Sequence, residues 1–194
     1  MDTREKIILC FWELAEERGF YGATVDELAA RNNMSKRTIY RHFKSKEELI
    51  EAVMQKIMRE IEGRVMEILD VPGNPIERIT RFVKFLSEKL RAFNPRIMGD
   101  LQRHYPELWE RVEQFRGEKI KYLAQIMIEG SKEGYFKEVN PTIVTASLLA
   151  TVRAVVNPAF ILENNLTPEE AFKTVMHTFL YGIVADNGKM QSGQ

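Results

Sequence analysis

An all-α fold is predicted by three observations. Apolar residues recur at i, i+3, i+4 and i+7 through nearly all of the 194 residues. Capping sequences recur at the starts of those stretches. No run alternates apolar and polar residues as a half-buried strand would. The expected organisation is an N-terminal three-helix domain with a helix-turn-helix over residues 1–46, a helical domain over 47–186 and a flexible polar tail over 187–194, about nine helices in all.

Ile7, Ile8, Phe11, Leu14 and Ala15 mark the inner face of a first helix from Arg4 to Arg18, with Gly19 as its stop. Phe20-Tyr21-Gly22 reads as a short turn that drops an aromatic into the core. Thr24-Val25-Asp26-Glu27 is a capping box opening a second helix, with Leu28 and Ala29 inward. It ends near Asn32-Asn33, because asparagine tolerates the left-handed conformation of a tight turn. Ser35 caps a short third helix, and Ser45-Lys46-Glu47-Glu48 opens a long fourth with Leu49, Ile50, Val53, Ile57, Ile61 and Val65 inward. After the break at Val71-Pro72-Gly73-Asn74-Pro75, a fifth helix buries Ile79, Phe82, Val83, Leu86 and Leu90. A short helix from Pro95 stops at His104, before Pro106. A long one from Pro106 ends between Gly130 and Gly134, and another starts at Pro141 with a kink expected at Asn157-Pro158. Thr167-Pro168-Glu169-Glu170 caps a last one to Val184.

Hydrophobic residues at 44% and charged ones at 29% exclude disorder of the whole chain. A single cysteine excludes an internal disulfide framework and fits a reducing, cytoplasmic setting. The charged start, Met1 to Lys6, does not read as a signal peptide. Arg153 and Pro158 interrupt the longest apolar stretch, so no membrane span is expected.

The formal charge is zero, with 28 bases and 28 acids. Yet Arg31, Lys36, Arg37, Arg41, Lys44 and Lys46 fall in one stretch without an acid, leaving 22 bases against 28 acids elsewhere. A solvated face explains such a patch equally well from charge alone. The helix-turn-helix spacing decides between them: helix from Thr24, turn at Asn32 to Met34, helix from Ser35. In such a unit the second helix presents side chains to base edges while neighbours clamp phosphates. Ile39 and Phe43 are spaced to pack inward, leaving Lys36, Arg37, Thr38, Tyr40, Arg41 and His42 outward. Lys46 lies in the first turn of the next helix, where free backbone N–H groups favour phosphate.

The run Thr24-Val25-Asp26-Glu27-Leu28-Ala29, followed by Asn33 to Leu49 with Tyr40, Phe43 and Ser45-Lys46-Glu47, resembles the TetR-family transcriptional regulators. The resemblance is strong over Arg4 to Val53, and it departs from the family's frequent turn glycine at Asn33. It implies a homodimer on a near-palindromic double-stranded DNA operator, with the C-terminal helices binding a small effector and dimerising. It also implies that Thr24, Tyr40, His42 and Lys46 touch phosphates and that Lys36, Arg37 and Thr38 face bases, with Ser35 and Arg41 completing the DNA-binding set.

A dimer face is offered by Ile143, Val144, Leu148, Val152 and Val155 with Phe172, Val175, Met176, Phe179, Leu180 and Ile183, residues that serve equally as core. Phe82, Phe85, Met98, Tyr105, Trp109 and Tyr122 are individually ordinary core residues and collectively allow an apolar cavity. Arg153 is the only charge between Ile143 and Phe160. If buried it needs a partner: a ligand carboxylate, Asp100 or an acid of a second subunit. The alternative is a partly exposed arginine paired within the chain. Asn157, beside the expected kink, joins the ligand-binding candidates.

His42, His104, His177 and Cys10 lack metal-site spacing, and no catalytic triad or phosphate loop is present, so no metal, no cofactor and no enzymatic activity are expected. The expectation is a cytoplasmic repressor released from DNA by an apolar or amphipathic effector. Two other readings stand beside it: a DNA-binding structural protein without an effector, and an interaction protein whose patch meets another polyanion.

Overall fold

Backbone amides at a helix start have no partner within the helix, so capping residues decide where each one begins. The computed structural model of the chain describes residues 2–71, 73–91 and 93–183. The helices are α1 (Thr3–Gly22), α2 (Val25–Arg31), α3 (Lys36–His42), α4 (Lys46–Asp70), α5 (Pro75–Arg91), α6 (Pro95–His104), α7 (Pro106–Lys132), α8 (Pro141–Val155), α9 (Pro158–Glu163) and α10 (Pro168–Ile183), with no strand among the described residues. Thr24 Oγ1 accepts from Glu27 N at 3.2 Å, and Ser45 Oγ from Glu48 N at 3.2 Å. At α10 the box closes both ways, Glu170 N donating to Thr167 Oγ1 and Thr167 N to Glu170 Oε2. The expected tail over 187–194 lies outside the described residues.

Two expectations change. Asn157-Pro158 does not kink one helix; it separates two. α8 stops at Val155, and Asn157 Oδ1 accepts from Ala159 N at 3.0 Å to cap α9, whose first position Pro158 needs no amide partner. This yields ten helices among the described residues where about nine are expected. Gly19 bends α1 without ending it: its φ of 76° breaks the helical path, and one further turn carries Phe20 into the core.

The chain divides into two compact units, Met1–Arg64 with Phe93–Val112, and Val65–Ala92 with Glu113–Gln194. The first unit continues past residue 46 into α4 and takes in α6, which packs on α1. Ile97 and Leu101 are buried with Phe11, Phe20, Leu28, Ile39, Phe43, Leu49 and Ile50. Asn94, which caps α6, also donates from Nδ2 to Glu16 O at 2.9 Å. The Phe93 and Trp12 rings lie 5.3 Å apart.

In the second unit α10 packs along α5 and α8, burying Ile79, Phe82, Leu148, Val152, Phe172, Val175 and Met176. Six residues of the expected dimer face (Leu148, Val152, Phe172, Val175, Met176 and Ile183) are therefore part of the chain's own core. Arg91, at the end of α5, donates twice to Glu169 in the first turn of α10, at 2.7 Å each, so the two helices run antiparallel. Lys173 Nζ donates to the same carboxylate at 2.5 Å.

Arg91, and after it Lys173, hold the Glu169 carboxyl at about 2, well below its ordinary 4.5. A depressed carboxylate pKa stabilises the fold above the unfolded value, and that contribution disappears as pH falls through the folded value. Arg91→Ala is therefore expected to lower the urea midpoint at pH 7, by an increment that shrinks between pH 4.5 and about 2. Urea titrations of both proteins across that range check it; an increment that persists at pH 2 contradicts the clasp.

Candidate nucleic-acid interface

The third helix has only seven residues, so its neighbours set its position. Asn33 adopts a φ of 50°, the left-handed turn conformation asparagine tolerates, and Met34 N closes the turn on Ala29 O at 3.0 Å. Ser35 Oγ accepts from Thr38 N at 3.0 Å and shares a hydrogen bond with Thr38 Oγ1. Ile39 and Phe43 are buried in the first unit's core, and the Arg4 guanidinium lies 4.8 Å from the Phe43 ring centroid. With those two side chains inward, Arg37, Tyr40 and Arg41 are exposed.

The six bases of the patch fall into two groups. Arg31 makes two hydrogen bonds to Glu17, at 2.8 and 2.5 Å. Lys36 is paired with Asp26. Lys46 Nζ donates to Tyr21 O at 2.8 Å, and burial of its ammonium pulls its pKa down against the opposing pull of Glu47 and Asp100. Arg37, Arg41 and Lys44 are exposed, and among the described residues their side chains make no ion pair or hydrogen bond. Thr24 is exposed while its hydroxyl caps α2, and His42 is half-buried with Nε2 unbonded. Lys44 was not among the expected contacts and belongs on this face by its exposure.

The family described as "Bacterial regulatory proteins, tetR family" matches residues 12–53, from α1 into α4. YvaF of Bacillus subtilis, an uncharacterized HTH-type transcriptional regulator, is 24% identical over 96% of this chain and 97% of its own length. The HTH-type transcriptional repressor KstR2 of Mycolicibacterium smegmatis is 25% identical over 69% of this chain and 67% of its own. A solved TetR/AcrR-family regulator from Thermobifida fusca covers 94% of this chain and 98% of its own with 28% identity and a TM-score of 0.70.

Residues 12–53 belong to the TetR family. The chain is a DNA-binding transcriptional regulator with the helix-turn-helix in its first unit. No helix of the described residues is long and apolar enough to cross a membrane, and among them no three His, Cys, Asp or Glu side chains are grouped to hold a metal ion.

The expected effector residues are divided between the two units. Met98, Tyr105 and Trp109 pack against the core of the DNA-binding unit. Burial, and after it Glu47, Asp100 and Tyr21, push the Tyr105 hydroxyl up to about 12. Phe82, Phe85, Tyr122, Arg153 and Asn157 fall in the second unit. Arg153 matches the second of its two readings, a partly exposed arginine paired within the chain: its side chain is 49% exposed, and Nε donates to Glu113 Oε2 at 2.9 Å. The buried guanidinium is Arg116, 15% exposed, which donates to Glu113 Oε1 at 2.8 Å and to Val156 O at 3.3 Å. Lys119 is buried too, with Nζ 4.7 Å from the Phe115 centroid and 5.2 Å from that of Tyr122. A signal for Arg116 exists in the sequence: it shares helical spacing with Val112, Ile120, Leu123 and Met127, all buried. The same unit carries an open surface groove of about 450 Å³ lined by Thr80 and Val83 of α5 and Lys173, Thr174, His177 and Leu180 of α10.

The partition of the bases predicts unequal salt effects. Arg41→Ala is expected to lower the slope of log affinity against log salt by about 0.9 per DNA-binding head, the release of one phosphate contact. Arg31→Ala, whose guanidinium is engaged by Glu17, is expected to change the slope by less than about half of that. Fluorescence anisotropy on duplex DNA over a salt series measures both.

Proposed function

We propose that this TetR-family regulator is a homodimeric, cytoplasmic repressor that occupies a near-palindromic operator and leaves it when a small apolar or amphipathic effector binds the second unit. The observation that carries the DNA half of this reading is the acid-free face of α3, where Arg37, Tyr40, Arg41 and the neighbouring Lys44 project without protein partners. Free guanidinium forks at a helix start suit bidentate contacts to guanine edges, and free ammonium groups suit phosphates. Arg37 and Thr38 are the proposed base readers, with Lys36 joining them when it leaves Asp26. Thr24, Ser35, Tyr40, Arg41, His42 and Lys46 are proposed to hold the backbone.

The dimer is supported by a second surface. Along α8, Ile143, Ala146, Ser147, Ala150 and Ala154 are all exposed, follow helical spacing and carry no charge. In a chain with 29% charged residues, an uncharged stripe of small side chains suits close approach of a second α8. Tyr181, exposed on α10, extends the uncharged surface of the same unit.

Effector binding is assigned to the second unit, where an open groove between α5 and α10 has room for a small molecule. Within the same unit Phe82, Phe85, Tyr122, Arg153 and Asn157 remain the proposed contacts, with half-exposed Arg153 free to exchange Glu113 for an effector anion.

Selection of duplexes from a random pool with the purified protein tests the reading. Enriched sequences are expected to share an inverted repeat with half-site centres about 34–36 Å apart or a multiple of that spacing. Enrichment without sequence preference would favour the structural DNA-binding protein instead. Ala150→Arg is expected to raise the dimer dissociation constant at least about tenfold, since a like-charge pair meets across the two-fold axis. Analytical ultracentrifugation reads that change, and an unchanged melting curve shows that the fold survives.

A further inference from the structure

Tyr21 is the meeting point of three helices. It lies in the final turn of α1, past the bend at Gly19. Its backbone N–H donates to Asp100 Oδ2 of α6 at 2.8 Å. Its carbonyl accepts from Lys46 Nζ, in the first turn of α4, at 2.8 Å. Its ring stacks on His104, also of α6, with centroids 4.1 Å apart and planes 19° from parallel. The approach of Asp100 depends on glycine: a Cβ at Gly19 would overlap Asp100 Oδ2, and the φ of 76° is strained for any other residue.

We propose that Asp100 is a positioning residue for DNA binding, holding the Tyr21 carbonyl where it directs the Lys46 ammonium toward a backbone phosphate. The proposal rests on the DNA-binding reading of the first unit and adds to it a residue of α6. An ammonium has three donors. One bond to Tyr21 O restrains the flexible lysine and leaves two hydrogens for phosphate oxygens. Without Asp100, the turn after Gly19 loses the acceptor that holds its amide, and the Tyr21 carbonyl loses its fixed position. Lys46 then pays more conformational entropy for the same contact. Asn94, bonded to Glu16 O, ties the other end of α6 to α1, so loss of Asp100 loosens one end of the contact without detaching the helix.

The test uses the full-length protein and a random-sequence duplex of about 30 base pairs, because a phosphate contact needs no operator. Asp100→Ala is expected to weaken binding about fivefold and to lower the salt slope by up to about 0.9 per head. Asp100→Asn keeps an acceptor for Tyr21 N–H and is expected to bind like the parent. In a Lys46→Met background, Asp100→Ala is expected to have no further effect. Asp100→Ser, too short to reach Tyr21, gives the same readings should the alanine variant fail to fold.

An equal loss in both backgrounds would overturn the proposal, since a merely structural role weakens binding whether or not Lys46 is present. So would an unchanged slope in Lys46→Met, or an asparagine variant as weak as alanine. If the parent protein does not bind the duplex even at low salt, the DNA-binding reading fails first and the proposal with it.

Discussion

A helix of seven residues has no stability of its own, since isolated helices below about 12–15 residues are marginal in water. Everything on the DNA-facing surface depends on α3 being held from behind, and two side chains do most of it. Burial of Ile39 and Phe43 contributes roughly 1.5–3 kcal/mol each. The Ser35 side chain adds a second acceptor for the Thr38 amide, which also donates to Ser35 O. Because Ile39 and Phe43 must point inward, Arg37, Tyr40 and Arg41 must point outward. The orientation of the reading face follows from hydrophobic burial before any charge is considered.

The charges then divide by what lies beside them. Arg31, Lys36 and Lys46 sit close enough to Glu17, Asp26 and the Tyr21 carbonyl to be engaged in the free protein. Among the described residues, Arg37, Arg41 and Lys44 have no such neighbour. A near-neutral chain thus presents a small, unneutralised cationic face, and the engaged bases shape it by fixing where the free ones project. Exposed pairs such as Lys36–Asp26 are weak and screened by salt, so a phosphate can compete for the lysine at little cost. The patch is graded: among the described residues, three of its bases have no ion-pair or hydrogen-bond partner, and three already have one.

Local rules made much of this legible in the sequence. The capping residues Thr24, Ser35, Ser45 and Thr167 mark real helix starts, and Asn33 takes the left-handed turn because its side chain allows it. All are decided within four residues, where spacing is informative. Arg153 looks singular only along the chain; its relation to Glu113 spans 40 positions, and Arg116 is hidden among the surface charges of α7. Pro158 was legible as an interruption, but whether it bends a helix or begins another depends on Asn157 turning back to cap Ala159. The place of α6 with α1 was not legible, because Asp100 and Tyr21 are 79 residues apart and neither is unusual in its own segment.

Glu113 shows how the second unit holds charge inside an apolar frame. It stands between two guanidiniums, one buried and one half-exposed, and its side chain is only 18% exposed. Desolvation disfavours the charged form of Arg116, and the nearby carboxylate opposes that effect. Removing Glu113 would leave a buried cation without its carboxylate, which is far costlier than losing an exposed pair. Arg153 differs, because water already reaches it and the bond it gives up is a partly solvated one. An anion entering the unit can therefore recruit Arg153 while Glu113 stays with Arg116. The same arrangement that keeps the interior charge satisfied leaves one cation, Arg153, half-solvated and exchangeable.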